Sequence, residues 1–152
     1  MLSTAAAVLV IVDVQGKLAQ LMSDRETLFA NLQCMIRGAQ ALAVPILWVE
    51  QNPAKLGPTI PEVAELLPAL APIAKTSFSC AGNPAFMAEL ERLGRKQVLV
   101  VGIEAHVCVY QTATDLLGAG YTVEVVEDAV ASRIASNKAT VPPTFTSLYS
   151  RG

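Results

Sequence analysis

The chain has few of the residues that bind metals, form disulfides or contact nucleic acid. It contains one histidine, three cysteines without C-x-x-C spacing, and only 16% charged residues. Neither a zinc site nor a disulfide framework is indicated, so we expect a reducing compartment, the cytoplasm. The net charge of −2 offers no basic surface. We therefore expect neither a nucleic-acid nor a membrane partner.

Long apolar segments are also missing. The first apolar run, residues 5–12, is far shorter than the roughly 20 residues of a membrane-spanning helix. No basic region precedes it, and it ends in Asp13 instead of a small-residue cleavage site. We therefore expect no signal peptide.

Apolar side chains are abundant, at 53% of the 152 residues. This length fits a single domain, predicted over residues 1–152, and no repeat or low-complexity stretch divides it. A small monomer would expose much of this apolar content at its surface. We therefore expect a homo-oligomer.

Strands and helices are predicted to alternate along the chain. Apolar, β-branched runs predict strands at 6–13, 46–50, 97–102 and 121–128, with a short extended piece ending at Lys75. Helices are predicted after the capping box Ser23-x-x-Glu26, after Pro61, from Asn83-Pro84 to Gly94, and over 107–117. This alternation predicts an α/β protein with a mainly parallel sheet, because parallel neighbours require crossover connections.

In such sheets, ligands bind at the carboxyl ends of the strands. Asp13 and Lys75 each end a predicted strand, and Cys108 lies six residues after the strand 97–102. At a helix start the free N–H groups and the helix dipole favour a thiolate, so we expect the pKa of Cys108 to lie below the free value of about 8.5. From position alone, Asp13 could instead cap a turn, Lys75 could be exposed, and Cys108 could be a buried small hydrophobe.

The other two cysteines are interpreted as structural. Cys34 falls inside the first amphipathic helix, and Cys80 follows Lys75 closely. No G-x-G-x-x-G pattern follows any predicted strand, which disfavours a nucleotide-binding module.

Three motifs in order resemble the isochorismatase-like hydrolases, a superfamily of cysteine hydrolases. They are VDVQ with Asp13, KTSFSC with Lys75, and GIEAHVCV with Cys108, followed by QTATDLL and EDAVASR. The resemblance extends from about Leu9 to Arg133. It implies a three-layer α/β/α fold with a Rossmann-like sheet and an Asp–Lys–Cys triad. It also implies a cis peptide at Ile103–Glu104, with an oxyanion hole formed by the backbone N–H groups of Glu104 and Cys108.

The activity implied by the resemblance is hydrolysis of a small amide-, carbamate- or ester-like substrate through a cysteine acyl-enzyme. The substrate pocket is expected to include Gln15, Glu50, Phe78 and His106, and no cofactor is expected. Nicotinamidases of this superfamily carry an Asp-x-His metal motif after the second strand. Here that place reads EQN, which resembles a metal-free branch of unassigned hydrolases, so we expect no metal. A nicotinamidase-like amidase and a non-catalytic scaffold with a vestigial triad remain alternatives.

The C-terminal tail departs from the family pattern from about residue 134. The family continues with a long helix and a last strand, whereas this chain reads ASNKATVPPTFTSLYSRG. Pro142 and Pro143 prevent a helix of normal length. Either the C-terminal edge strand is missing, or the C-terminus differs from that of the parent protein.

Overall fold

The computed structural model describes residues 1–139, 141–142 and 144–145. Its strands are β1 (Ala7–Val12), β2 (Ile46–Gln51), β3 (Ile73–Lys75), β4 (Gln97–Ile103), β5 (Thr122–Ala131) and β6 (Thr144–Phe145). Its helices are α1 (Gly16–Gln20), α2 (Arg25–Ala41), α3 (Pro53–Leu56), α4 (Pro61–Ala64), α5 (Pro84–Leu93), α6 (Tyr110–Gly118) and α7 (Ala135–Lys138). A 3-10 turn (Cys80–Gly82) precedes α5, and a π-helical turn (Ala105–Val109) leads into α6. None of the helices in these residues is both long and apolar enough to cross a bilayer.

The strands form one sheet in the order β3-β2-β1-β4-β5-β6. The first five are parallel, and β6 is antiparallel to β5. All six residues of the central strand β1 are buried, as expected for a strand covered on both faces. The predicted α/β class with a mainly parallel sheet is confirmed.

Helices cover both faces of this sheet. Leu9 and Ile11 of β1 pack with Leu28, Leu32 and Ile36 of α2 on one face. Val8 and Val10 point to the other face, where they pack with Phe86 and Leu90 of α5 and Leu116 of α6. Burying each such side chain contributes about 1.5–3 kcal/mol, so the alternation along β1 fixes which residues face each layer.

The predicted helix starts have opposite outcomes. The Asn83 cap is confirmed, because its Oδ1 accepts a hydrogen bond from the Phe86 N–H at 3.0 Å. The prediction that Ser23 caps a helix is wrong. Helix α2 begins at Arg25, after Asp24 in a left-handed conformation (φ 51°) with no side-chain cap. Ser23 instead donates its backbone N–H to the Ser132 carbonyl oxygen at 3.1 Å, which holds it against the end of β5.

The sheet edge beyond β5 carries the short strand β6. Val123 pairs with Phe145, and Glu124 pairs with Thr144. The short antiparallel strand therefore occupies the edge of the sheet at which a missing strand was one of the two alternatives. Helix α7, at four residues, is short, as the proline pair predicted. The remaining tail residues, 140, 143 and 146–152, lie outside the described residues.

Gly102 allows the central strands to approach closely at the carboxyl end of the sheet. Its φ of 120° lies in the region that favours glycine. A Cβ atom there would lie 2.1 Å from the Val12 carbonyl oxygen. This approach lets the residues that follow β1 and β4 share one site.

Candidate active site

Asp13 and Lys75 form a buried ion pair at the carboxyl end of the sheet. Asp13 follows β1 with a left-handed φ of 54°, and Lys75 ends β3, two strands away. The Lys75 Nζ lies 2.8 Å from Oδ2 of Asp13, and the two residues are only 1% and 2% exposed. The sheet order thus brings together two residues that are 62 positions apart in sequence.

The Lys75 ammonium is surrounded by oxygen acceptors. Besides Asp13, its Nζ donates to Gln51 Oε1 at 2.7 Å and to the carbonyl oxygens of Ser77 and Phe78 at 2.9 and 3.0 Å. A lysine ammonium has three N–H groups and no acceptor. Four acceptors therefore saturate it, which suits a fixed positive charge and leaves no N–H group free for another ligand.

The second carboxylate oxygen of Asp13 differs from the one that Lys75 binds. Oδ1 is buried and has no hydrogen-bond partner in the part of the chain that the structure describes. Burial raises the pKa of Asp13 above its usual range; the Lys75 ammonium and the neighbouring Cys108 thiol lower it in part, and the Glu50 carboxylate raises it further. The site therefore contains a carboxylate that is a stronger base than a solvated aspartate and has one oxygen free to accept a proton.

Cys108 lies in the π-helical turn and is 8% exposed. Burial raises the pKa of its thiol, the Asp13 carboxylate raises it further, and Lys75 offsets only part of the shift. The expected lowered pKa is therefore wrong. The N–H groups of Val107 and Val109 donate to the Glu104 carbonyl oxygen, so these donors at the helix start are already used.

A cavity of about 120 Å³ opens at Cys108. It is lined by Asp13, Leu18, Gln51, Leu56, Phe78, Ile103, Glu104, Val107 and Cys108. The peptide bond between Ile103 and Glu104 in its wall is cis. The cavity is large enough to admit a small organic group.

Of the four expected pocket side chains, only Phe78 lines this cavity. The Gln15 amide donates to the carbonyl oxygens of Gln51 and Gly57 at 3.0 and 2.8 Å. His106 Nδ1 lies 2.8 Å from Ser132 Oγ. Neither Gln15 nor His106 is among the residues that line the cavity.

Glu50 is the third expected pocket residue that lies elsewhere. Its Oε2 accepts hydrogen bonds from the N–H and hydroxyl groups of Thr59 at 2.6 and 2.7 Å. Trp48 Nε1 donates to the same hydroxyl at 2.7 Å. Glu50 therefore fixes the segment after α3. No group of three or more His, Cys, Asp or Glu residues within the described ranges could hold a metal ion.

Sequence reasoning missed four of the residues that line the cavity: Leu18, Gln51, Leu56 and Val107. Successive strand residues point to opposite faces, so the extra residue Gln51 at the end of β2 reaches the cavity where Glu50 does not. Leu56 belongs to the four-residue helix α3, which was not predicted. Gly16, with φ 45°, packs so tightly there that a Cβ would lie 2.3 Å from the Leu56 carbonyl oxygen. That contact depends on tertiary packing, which the local pattern does not encode.

The other cysteines differ in environment. Cys80 is buried, its N–H donates to Thr112 Oγ1 at 2.9 Å, and burial raises its pKa to about 12. Cys34 is exposed on α2, in contrast to the structural role expected for it.

A family model described as the isochorismatase domain matches residues 7–141. The chain belongs to the isochorismatase domain family. Human isochorismatase domain-containing protein 2 is 39% identical over 129 residues, covering 84% of this chain and 61% of the human protein. This isochorismatase domain therefore spans about three fifths of the length of its human relative.

Two solved structures share the fold of this isochorismatase domain. The MAR1 ribonuclease of Caenorhabditis elegans has a TM-score of 0.83 at 36% identity, over 91% of this chain and 71% of that one. The YcaC gene product of Escherichia coli, described as an octameric hydrolase of unknown specificity, has a TM-score of 0.86 at 24% identity, over 91% and 70%. The second likeness supports the fold alone.

Proposed function

We propose that this isochorismatase domain is a cysteine hydrolase that cleaves small amide-, carbamate- or ester-like substrates through an acyl-enzyme on Cys108. The observation that carries the proposal is that the two carboxylate oxygens of Asp13 have different environments. One oxygen is held by Lys75, and the other is buried without a partner in the described residues, at the cavity that also contains the Cys108 thiol. A buried unpaired acceptor is costly to keep, which favours a catalytic use for it.

In the first step, Oδ1 of Asp13 accepts the thiol proton as Sγ of Cys108 attacks the substrate carbonyl carbon. Because the thiol has a raised pKa, it needs a base, and the raised pKa of Asp13 makes that carboxylate a better one. The Lys75 ammonium lowers the pKa of the Cys108 thiol and so stabilises the negative charge that develops on its sulfur. The backbone N–H groups of Glu104 and Cys108 are the proposed oxyanion donors.

In the second step, the tetrahedral intermediate collapses. For an amide, the C–N bond breaks, and the leaving amine takes the proton from Asp13. Water then attacks the thioester, with Asp13 again as base, and the C–S bond breaks as the new C–O bond forms. The carboxylic acid leaves, and Cys108 regains its proton. These bond changes and proton transfers consume only the substrate and water, so they require no cofactor.

Gln51 is proposed to position Lys75. Its Oε1 accepts from Nζ, and its own Nε2 donates to the Thr76 carbonyl oxygen at 3.1 Å. Its backbone N–H donates to Gln15 Oε1 at 2.6 Å. Since these contacts fix the amide, Lys75 is held on one oxygen of Asp13 and the other oxygen is left for the proton.

An RNA substrate is a weaker candidate for this chain, although the C. elegans relative is named a ribonuclease. RNA binding requires cations for the phosphates. The described residues that line the cavity include the acids Asp13 and Glu104 and no lysine or arginine. We therefore propose a small-molecule substrate.

Self-association is proposed on the exposed apolar side chains. Leu21, Leu42, Phe78 and Ile134 are each more than half exposed. The E. coli structure that shares the fold is described as octameric. We therefore propose that the chain forms a homo-oligomer. The cysteine content favours the cytoplasm as its location.

Screening small amides, carbamates and esters with wild type and Cys108→Ala tests the proposed activity. The matched control is Cys34→Ala, which removes an exposed thiol outside the cavity. We expect turnover in wild type and in the control, and none in Cys108→Ala. Equal turnover in all three proteins would exclude Cys108 as the nucleophile.

A further inference from the structure

Among the residues that the structure describes, the cavity that contains Cys108 has no cation available to a bound ligand. Its two acidic residues are both paired with cations that do not line it. Asp13 is bound by Lys75, whose N–H groups are already used by four acceptors. Glu104 is bound by Arg133, whose Nε lies 3.2 Å from Oε1. A ligand carboxylate entering the cavity would therefore lose its water without gaining an ion pair.

Apart from the Gln51 amide, which bonds to Lys75 and to the Thr76 carbonyl oxygen, and the Cys108 thiol, the rest of the wall is apolar. Leu18, Leu56 and Val107 are aliphatic, Phe78 stands at the mouth with 57% exposure, and Ile103 is fully buried. Such a wall stabilises a hydrocarbon group by removing it from water and cannot hydrogen-bond to a charged one.

The segment that carries Leu56 is fixed at several points. The Gly57 carbonyl oxygen accepts from the Gln15 amide at 2.8 Å, and the Gly16 N–H donates to the Pro58 carbonyl oxygen at 3.1 Å. Thr59 is held by Glu50. Gln15 and Glu50, expected to contact substrate, thus act on the cavity indirectly, by fixing the wall formed by Leu56.

We propose that this cavity selects substrates with a small, uncharged, apolar acyl group and rejects those with a carboxylate on that group. The inference rests on the proposed function, since it assigns the acyl side of the substrate that Cys108 attacks. Leu56 and Phe78 are the specificity-determining residues. Rejection follows from the loss of the carboxylate's hydration, which no cation among the described residues of the cavity lining compensates.

Isovaleramide and malonamate form a matched pair for testing this specificity. They have equal numbers of heavy atoms, and the isopropyl group of one replaces the carboxylate of the other. Binding to Cys108→Ala is measured by calorimetry, and acid release is measured with the wild type. We expect isovaleramide to bind at least about tenfold more tightly, the equivalent of about 1.4 kcal/mol.

Leu56→Lys places a cation at the cavity wall, and its side chain is exposed enough (36%) to tolerate the change. In the Cys108→Ala background we expect it to reduce the preference for isovaleramide by about tenfold or to reverse it. Leu56→Met controls for side-chain length. Leu42→Lys, at an exposed leucine outside the cavity, controls for added charge. Both controls should keep the wild-type preference.

The outcomes separate this inference from the proposed activity. Selective binding of isovaleramide without acid release by the wild type would support the specificity and contradict the hydrolase. Equal or faster hydrolysis of malonamate would support the hydrolase and overturn the specificity. Failure of Cys108→Ala to bind isovaleramide, or an unchanged preference in folded Leu56→Lys, would also overturn the specificity.

Discussion

Lys75 binds only one of the two carboxylate oxygens of Asp13. Its Nζ lies 2.8 Å from Oδ2, whereas Oδ1 is buried and has no hydrogen-bond partner in the described part of the chain. The division gives the two oxygens different chemistry: one neutralises a buried cation, and the other is available to accept a proton. The predictions below follow from this asymmetry and from the burial around it.

Asp13→Asn should abolish turnover while the chain stays folded. The amide preserves the shape of the carboxylate but cannot accept the Cys108 proton, and loss of a general base costs about 10²–10⁴-fold in rate. Acid release gives the rate, and far-ultraviolet circular dichroism checks the fold. Full activity in Asp13→Asn would contradict the mechanism.

The acid limb of kcat/KM should lie above the pH at which a solvated aspartate titrates. Burial raises the pKa of Asp13, and the base works only when ionised, so activity is lost as the pH falls through that raised pKa. A rate profile measured from mildly acidic to neutral pH gives its position. An acid limb at the pKa of a solvated aspartate would contradict the assignment of Asp13.

Lys75→Met should move that acid limb to higher pH. The ammonium lowers the pKa of Asp13, so its removal leaves the carboxyl group protonated over a wider range. Raising the pH should therefore partly restore the activity of Lys75→Met, whereas Asp13→Asn, which has no carboxylate to ionise, should not recover. Identical pH responses of the two variants would argue against separate roles.

Cys34 should alkylate faster than Cys80 or Cys108 at neutral pH with a bulky reagent such as N-ethylmaleimide. Cys34 is exposed, whereas the other two thiols are buried and have raised pKa values. Peptide mapping by mass spectrometry gives the three rates. Fastest labelling of Cys108 would indicate a thiolate at rest, and Asp13 would then not be needed to remove its proton.

Removing one member of the Asp13–Lys75 pair should lower the free energy of unfolding more than replacing both. Removing one partner of a buried ion pair costs about 3–5 kcal/mol, because the other charge stays buried alone. We expect losses of this order in Asp13→Asn and in Lys75→Met, and a smaller loss in the double variant. Urea unfolding measures each free energy, and additive losses would show that the two side chains are not coupled.

The sequence predicted the sheet well because its signals are local. The apolar run of β1 and the Asn83-Pro84 helix start depend on neighbouring residues, and both are confirmed. The Ser23 capping box failed because a tertiary contact with Ser132 competes with the local pattern.

The site was only partly predictable for the same reason. The rule for strand ends placed Asp13 and Lys75 at one edge, but it could not distinguish Glu50 from Gln51. Nor could it show that burial outweighs the helix start at Cys108 and raises the pKa of the thiol. That balance depends on how deeply the folded chain encloses the residue.

The central claim, an acyl-enzyme on Cys108 formed with the help of Asp13, is tested most directly by trapping that intermediate. Wild type and Asp13→Asn are mixed with p-nitrophenyl isovalerate and quenched in acid, and the cysteine peptides are analysed by mass spectrometry. The account predicts an isovaleryl group on Cys108 in the wild type, none on Cys34 or Cys80, and little or none on Cys108 in Asp13→Asn. Ester consumption by the wild type without acylation of Cys108, or equal acylation in Asp13→Asn, would contradict it.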